Sequence, residues 1–479
     1  MRIVVDQASP DLEGVAAWLA CKLSTVCGLG LSPEVTFEER GLAGDILFSS
    51  KDANTAVGPE GYELDVGPDG IRVSASTSAG AFYATQTLRQ LLPPEIERRE
   101  RVADFQQWVI PAVRIHDAPR FSWRGMLLDC CRHFMSTEFI KRYIDLLAYY
   151  KMNRFHWHLT EDQGWRIEIA AYPELTRVGA WRTQADGLRY GGYYTKSEIR
   201  EVVEYASRRH VTVVPEIEMP GHALAALASY PDLSCSGGPF EVAVDWGVFE
   251  DVFCAGNDAT FLFLERVLSE VMELFPGQYI HIGGDECPKD RWQSCPRCQM
   301  RIAAEGLRDE SALQSYFIKR IAALLERKGR KLIGWDEILE GGLAPCATVQ
   351  SWRGTAGAVE AAKSGHDAIL SPTSHSYFDF DLSRIDLRQV YSFDPIPEEL
   401  KGREREHILG GECNMWTERA PQDTVDQKVF PRLTAMAECL WSEADNKDFS
   451  DFHHRLQHHY QRLRELGVDY GAAFAVTAV

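Results

Sequence analysis

A chain of 479 residues exceeds what one ordinary hydrophobic core serves, so two domains are expected. It is 45% hydrophobic and 25% charged, has no low-complexity tract, and lacks the uncharged apolar run of about 18 residues that a membrane helix needs. Its 51 Lys and Arg against 70 Asp and Glu give a net charge of −19, which opposes binding to nucleic acid, where affinity comes largely from neutralising phosphates.

The opening MRIVVDQASPDLEG has no secretory apolar core, so a cytoplasmic location is expected. The 12 cysteines then read as reduced thiols rather than as a disulfide framework. Only Cys295-Pro-Arg-Cys298 has metal-ligand spacing, with Cys287 close by. A three-thiol structural metal is the alternative there; unligated thiols are the preferred reading, and no metal or cofactor is assigned.

Residues 1–115 read as a small α+β domain. YELDV and IRVSAS alternate apolar and polar residues around Gly67-Pro68-Asp69-Gly70, a hairpin signal. SAGAFYATQTLRQLL then places Phe82, Thr85, Leu88 and Leu92 at helical spacing. Pro93-Pro94 and the charged run after it mark the exit, with WVIPAVRIHDAP as a last strand and linker.

From there to residue 479 the rhythm changes. RGMLLD (124–129), RFHWHL (154–159), VTVVPEIE (211–218), YIHIGGDE (279–286), KLIGWDE (331–337), TVQSW (348–352), AILSP (368–372) and ILGGECNMW (408–416) read as strands. Amphipathic segments separate them, such as TEFIKRYIDLLAYYK, KSEIREVVEYASRRH, TFLFLERVLSEVMELF and SALQSYFIKRIAALLERKG. Strand–helix alternation argues for a parallel sheet covered by helices, and eight strands make a (β/α)8 TIM barrel that, with a C-terminal helix, spans residues 116–479. A doubly wound sheet would open on a glycine-rich phosphate turn, which RGMLLDCCRHF lacks. The seventh helix is weakly marked.

Barrel enzymes carry their chemistry at the carboxyl ends of the strands. Polar and aromatic residues recur there: Arg132 and His133, Glu161 and Asp162, His222, Asp285 and Glu286, Trp335, Trp352, Tyr377 and Asp379, Trp416 and Glu418. Indoles among carboxylates and an arginine suit a sugar, whose C–H faces pack on rings while its hydroxyls take charged partners. Retaining glycosidases hold two carboxyls about 5 Å apart across the scissile bond. Neighbours on one strand point to opposite faces, so Asp285 and Glu286 are not expected to flank a sugar as acid and nucleophile. One of them reads as the proton donor, and the nucleophile comes from elsewhere or from the substrate.

Together HIGGDE, RHF, HWHLTEDQGWR, PEIEMPGH, GWDE, QSW and GGECNMWTE resemble the β-N-acetylhexosaminidases of glycoside hydrolase family 20, and the N-terminal domain is similar to that family's accessory domain. The resemblance implies removal of terminal β-linked GlcNAc or GalNAc from a glycan or glycoconjugate, with retention, by a substrate-assisted route through an oxazolinium ion. It implies Glu286 as general acid and base, Asp285 on the acetamido N–H, and Tyr377 on the acetamido oxygen. Arg132 would bind the 3- and 4-hydroxyls, with Asp379 and Glu418 on the 4- and 6-hydroxyls. Trp335, Trp352 and Trp416 would wall the pocket, and His222 with Glu161 would orient Glu286. Whether Glu161 or the adjoining Asp162 serves His222 stays open. Burial among indoles and the nearby Asp285 charge are expected to discourage ionisation of Glu286. A homodimer is among the assemblies the resemblance allows.

Two other classes are weighed. His156 and His158 share a strand face, as in metal-dependent amidohydrolases on this barrel, but that pair usually sits on the first strand and no bridging lysine accompanies it. A non-catalytic carbohydrate-binding protein would keep Arg132 and the tryptophans but would not need Glu286, Asp285 and Tyr377.

Overall fold

The computed structural model describes residues 2–28, 36–38, 42–51, 53–102 and 108–471. The chain divides into two compact units. The first runs to Ser122 and also takes in Ala148–Lys151 and the segment from Leu433 onward; the second comprises Trp123–Leu147 and Met152–Arg432. The segment from Leu433, which the sequence reading assigned to the barrel span, therefore clusters with the first unit, and residues 472–479 of that span lie outside the described residues.

The first unit holds a six-stranded sheet in the order Thr36–Glu38, Ile3–Asp6, Asp45–Ser49, Gly70–Ser74, Tyr62–Gly67, Val113–Asp117. The hairpin signal is realised: Tyr62–Gly67 and Gly70–Ser74 pair antiparallel, with Gly67 opposite Gly70. Gly70 sits at φ 134°, where a Cβ would lie 2.5 Å from the Asp45 carbonyl oxygen, so a side chain there would be strained as well as crowded. The helix Ser78–Leu91 starts at Thr77, whose hydroxyl accepts from the backbone N–H groups of Ala79 and Gly80. Beside these elements the unit carries the helices Glu13–Cys27 and Phe449–Glu465.

The second unit is a closed barrel of eight parallel strands: Trp123–Asp129, Arg154–His158, Thr212–Glu216, Tyr279–His281, Lys331–Trp335, Thr348–Ser351, Ala368–Leu370 and Ile408–Met415. Each lies where the apolar runs placed it. Long helices follow the first, third and fourth strands at Thr137–Tyr149, Asp258–Leu274 and Glu310–Arg327. Lys196–Ser207 follows the second and opens on a capping box, with Thr195 and Glu198 satisfying each other's backbone N–H groups. After the seventh strand only the short helix Leu387–Tyr391 and a 3-10 turn at Gly402–His407 precede the eighth, in keeping with the weak periodicity there.

The interior is layered. At the amino end, Trp123, Val214, Ile333 and Ile369 from the odd strands form an apolar cluster. Above them the even strands supply His156, His281, Gln350 and Glu412, all buried. Glu412 accepts from Trp123 Nε1 at 2.9 Å and from Gln350 Nε2 at 2.9 Å, and lies 2.7 Å from His156 Nδ1. Next, Glu216 lies 2.7 Å from His281 Nδ1 and accepts from Trp335 Nε1 at 2.9 Å. The barrel is thus plugged by a hydrogen-bonded column leading up to the pocket floor. Among the described residues no helix is long and apolar enough to cross a membrane.

Candidate active site

The fourth strand ends at His281, well before the two acids. Gly283 and Gly284 take φ 66° and 91°, and Glu286 takes φ 41°. A Cβ on Gly283 would lie 1.6 Å from Glu218 Oε2, and one on Gly284 would lie 2.8 Å from Ile338 Cγ2. Only glycine fits these positions, which turn the chain out of the sheet. The expectation that Asp285 and Glu286 face opposite ways assumed a continuing strand and is corrected here. The left-handed turn brings both carboxylates to one imidazole, each 3.5 Å from His222 Nε2.

His222, itself at φ 48°, follows the third strand. Its Nδ1 lies 2.8 Å from Glu161 Oε1 and 3.2 Å from Asp162 Oδ2, so both acids left open by the sequence reach the ring. Burial opposes charging the imidazole, but the Glu161 and Asp285 carboxylates outweigh it and hold the ring well above its usual range. Burial also works against the Glu161 charge; Arg132 and His222 override it, and Glu161 stays ionised. Asp162 is pushed up by burial, to about 6.

Glu286 departs from expectation. Its hydrogen bond to His222 lowers its pKa and outweighs burial. The side chain keeps 43% of its exposure, so it is not enclosed by indoles, and the imidazolium beside it favours the anion. Asp285 is more deeply set at 14% exposure, and its Oδ1 is buried with no hydrogen-bond partner. A buried acceptor left unpaired in this way is an opening for a ligand donor.

Arg132, on the loop after the first strand, is buried. Its Nε donates to Gln163 Oε1 at 3.1 Å, and its Nη2 lies 3.0 Å from Glu161 and 3.9 Å from Glu418. The guanidinium sits 5.3 Å from the Trp416 ring centroid. Trp416 adjoins Trp335 at 5.9 Å and Tyr377 at 6.5 Å, and Trp352 stacks on Tyr377 at 6.2 Å. Burial, with the Asp285 and Asp379 charges, holds the Tyr377 phenol well above its usual range, so it stays a donor. Asp379 is raised to about 7 by burial and by Glu418, and its Oδ1 is also without a partner. Asp379, Trp416, Glu418 and Trp246 line a cavity of about 640 Å³. The structure therefore gathers around the carboxyl end of the barrel the eleven residues to which the resemblance gives roles.

Two lining residues were given no role from the sequence. Glu337 accepts from Trp352 Nε1 at 3.0 Å, and burial with the Asp285 charge raises its carboxyl to about 8. The signal was the acid of GWDE, passed over in favour of its indole. Trp246 projects from the loop after the third strand, 6.1 Å from His133 and facing Arg182 at 5.4 Å. A lone indole in a loop has no periodicity to expose it. His158, by contrast, is a buried partner of the carboxylates, with Nε2 3.3 Å from Glu218 and Nδ1 3.4 Å from Asp129.

Residues 121–444 match the pattern described as Glycosyl hydrolase family 20, catalytic domain. The chain belongs to glycosyl hydrolase family 20. Residues 1–118 match domain 2 of the same family. A beta-hexosaminidase of Porphyromonas gingivalis is 46% identical over 476 residues, which is 97% of this chain and 61% of that protein. The chain thus spans about three-fifths of that relative's length. Among solved structures, the family 20 beta-N-acetylhexosaminidase from Streptomyces coelicolor A3(2) superposes with a TM-score of 0.87 at 34% identity, covering 100% of this chain and 94% of that one. The family 20 exo beta-N-acetylglucosaminidase from Vibrio harveyi, in complex with N-acetylglucosamine, gives 0.85 at 32% identity, covering 99% and 75%. Membership of family 20 weighs against the amidohydrolase reading, and His156 and His281 are engaged with Glu412 and Glu216 as barrel filling.

Proposed function

We propose that this chain is an exo-acting, retaining β-N-acetylhexosaminidase that removes terminal β-linked GlcNAc or GalNAc by substrate-assisted catalysis. The observation that carries this reading is the convergence of Asp285 and Glu286 on His222 Nε2. Adjacent acids on one turn that meet at one imidazole do not bracket a sugar ring as proton donor and enzyme nucleophile, so the nucleophile at C1 is one that the substrate carries. Glu337, another carboxyl near Asp285, is pushed up to about 8 by burial and is bonded to Trp352, which makes it a poor anionic nucleophile.

In this reading the 2-acetamido oxygen attacks C1 while Glu286 protonates the leaving oxygen. Tyr377 donates to the acetamido oxygen and aims it. Asp285 Oδ1 accepts the acetamido N–H and stabilises the positive charge of the oxazolinium ion. Intramolecular attack of this kind is worth roughly 7–11 kcal/mol of positioning. Glu286 then takes a proton from water, which opens the ring with net retention. An aglycone lying over the half-exposed Glu286 excludes water, which raises its pKa for the acid step. Arg132, Asp379 and Glu418 serve the sugar hydroxyls, and the indoles of Trp335, Trp352 and Trp416 cover its faces. Binding of N-acetylglucosamine by the Vibrio harveyi relative supports the same sugar here.

The test is hydrolysis of aryl β-N-acetylglucosaminides, β-N-acetylgalactosaminides and plain β-glucosides, with the first-formed anomer followed by NMR. The β anomer and a strong requirement for the acetamido group are expected. Release of the α anomer first, or equal hydrolysis of the plain glucoside, would overturn the reading.

A further inference from the structure

Four cysteines from the segments that follow the third and fourth barrel strands meet in one cluster. Cys235 and Cys254 lie on the loop after the third strand; Cys295 and Cys298 flank the start of the helix Pro296–Ala304. Their sulfur atoms all lie within 4.8 Å of one another. Cys235–Cys298 is 3.8 Å, Cys254–Cys295 3.8 Å and Cys254–Cys298 3.7 Å. A disulfide needs about 2.05 Å, so these are not bonded pairs. A tetrahedron of sulfurs around zinc, with Zn–S near 2.3 Å, has edges of about 3.8 Å.

Packed thiols in an apolar core could show similar spacings, but the surroundings here are polar. The Gly256 backbone N–H faces the sulfurs of Cys254 and Cys298. The Arg297 guanidinium lies near the Cys295, Cys254 and Cys235 sulfurs. It is fixed in that position by donating to the Ser234 carbonyl at 2.7 Å. Donors and a cation aimed at sulfur suit thiolates. Gly256 is also obligatory: a Cβ would lie 2.2 Å from the Arg297 carbonyl carbon, so the two segments touch backbone to backbone.

We propose that Cys235, Cys254, Cys295 and Cys298 bind one Zn²⁺ as a structural four-thiolate site. Each thiol gives up its proton, so the loaded cluster carries a net charge of −2, partly balanced by Arg297. With four protein ligands there is no open position, and the ion takes no part in the reaction. This replaces the preference for unligated thiols drawn from the sequence. Cys287, the neighbour named there, is not in the group, and its Sγ faces the Pro288 carbonyl instead. Periodicity could not pair Cys295-Pro-Arg-Cys298 with cysteines some 40–60 residues upstream, because the two loops meet only through the pairing of the third and fourth strands.

The site links the segment after the Asp285-Glu286 turn to the loop that shapes the pocket rim. On that loop the Asp245 carbonyl accepts from Gln163 Nε2 at 2.8 Å, and Gln163 in turn holds Arg132. The zinc would thus fix the rim from outside the pocket, whatever reaction the pocket performs.

The experiment uses the full chain purified without chelator or affinity-tag histidines. Elemental analysis should find about one zinc per chain, released as the thiols are titrated with a mercurial. Chain refolded with Co²⁺ should show the intense visible bands of a tetrahedral cobalt thiolate. Cys235→Ser, at the half-buried ligand, and Cys298→Ser should both lose the stoichiometric zinc. Should Cys298→Ser fail to fold, the wild-type metal content and the cobalt spectrum still decide. Wild-type protein with all four thiols free and no bound zinc, a non-reducing mass showing two disulfides, or zinc retained in both variants would overturn the proposal.

Discussion

Replacing Gly283 by alanine isolates the device that turns the two acids into the pocket. Alanine at φ 66° carries a left-handed penalty of about 1–2 kcal/mol. Its Cβ would also sit 1.6 Å from Glu218 Oε2. Glu218 is buried against His158 and cannot swing to solvent, so the clash should cost a further 1–3 kcal/mol or so, typical of overpacking. The sum is about 2–5 kcal/mol. Gly306→Ala is the matched control: it has φ 64° with nothing within 4 Å of the added carbon, so it carries only the conformational cost. Urea unfolding followed by tryptophan fluorescence, with each transition fitted separately because the chain has two units, gives both values. Turnover should fall in Gly283→Ala and hold in Gly306→Ala, because Asp285 lies two residues from the first site. Equal destabilisation of the two variants would refute the argument from crowding.

Glu286→Gln should lower kcat by about 10²–10⁴-fold, and more for basic than for acidic leaving groups, since only the former need protonation; a loss independent of leaving-group basicity in a series of aryl substrates would count against the acid role. Glu337→Gln bears on pH. A carboxyl raised on folding to about 8 adds stability that is complete below its unfolded value and is lost as pH climbs through about 8. The amide keeps its dipole but cannot ionise, so the variant should gain in melting temperature over wild type as pH rises from about 5 to 9. A difference between the two that does not change with pH would sink this. Arg132→Lys should reduce kcat/KM by about 10–100-fold, because one ammonium cannot serve Gln163, Asp129 and Glu161 together; near-normal kcat/KM would show that the fork geometry is dispensable.

All eight barrel strands were legible because each is a short apolar run closed by polar residues. The reading overran most at the fourth strand, extended to Glu286 where the structure stops at His281. Apolar pattern does not register backbone handedness, and Gly283 and Gly284 end the strand by going left-handed. That one miss produced the mistaken idea that Asp285 and Glu286 diverge. The charge state of Glu286 was misjudged for a related reason. Its exposure and its distance to His222 are set by a loop and a turn that meet only in three dimensions. The site residues themselves were legible through motif and through their position at strand ends. Glu337, Trp246 and the four-thiol cluster were not, since each acquires its meaning from a partner on another strand's loop. The assignment of the segment from Leu433 likewise depends on packing that amphipathic periodicity does not name.

The layer of His156, His281, Gln350 and Glu412, capped by Glu216, replaces the branched aliphatics that usually fill a barrel's centre. Exposing polar groups lowers the heat capacity of unfolding, whereas exposing hydrocarbon raises it. This barrel should therefore have a flatter stability curve than an aliphatic-filled one of equal length, losing less on cooling and changing its unfolding enthalpy more slowly with temperature.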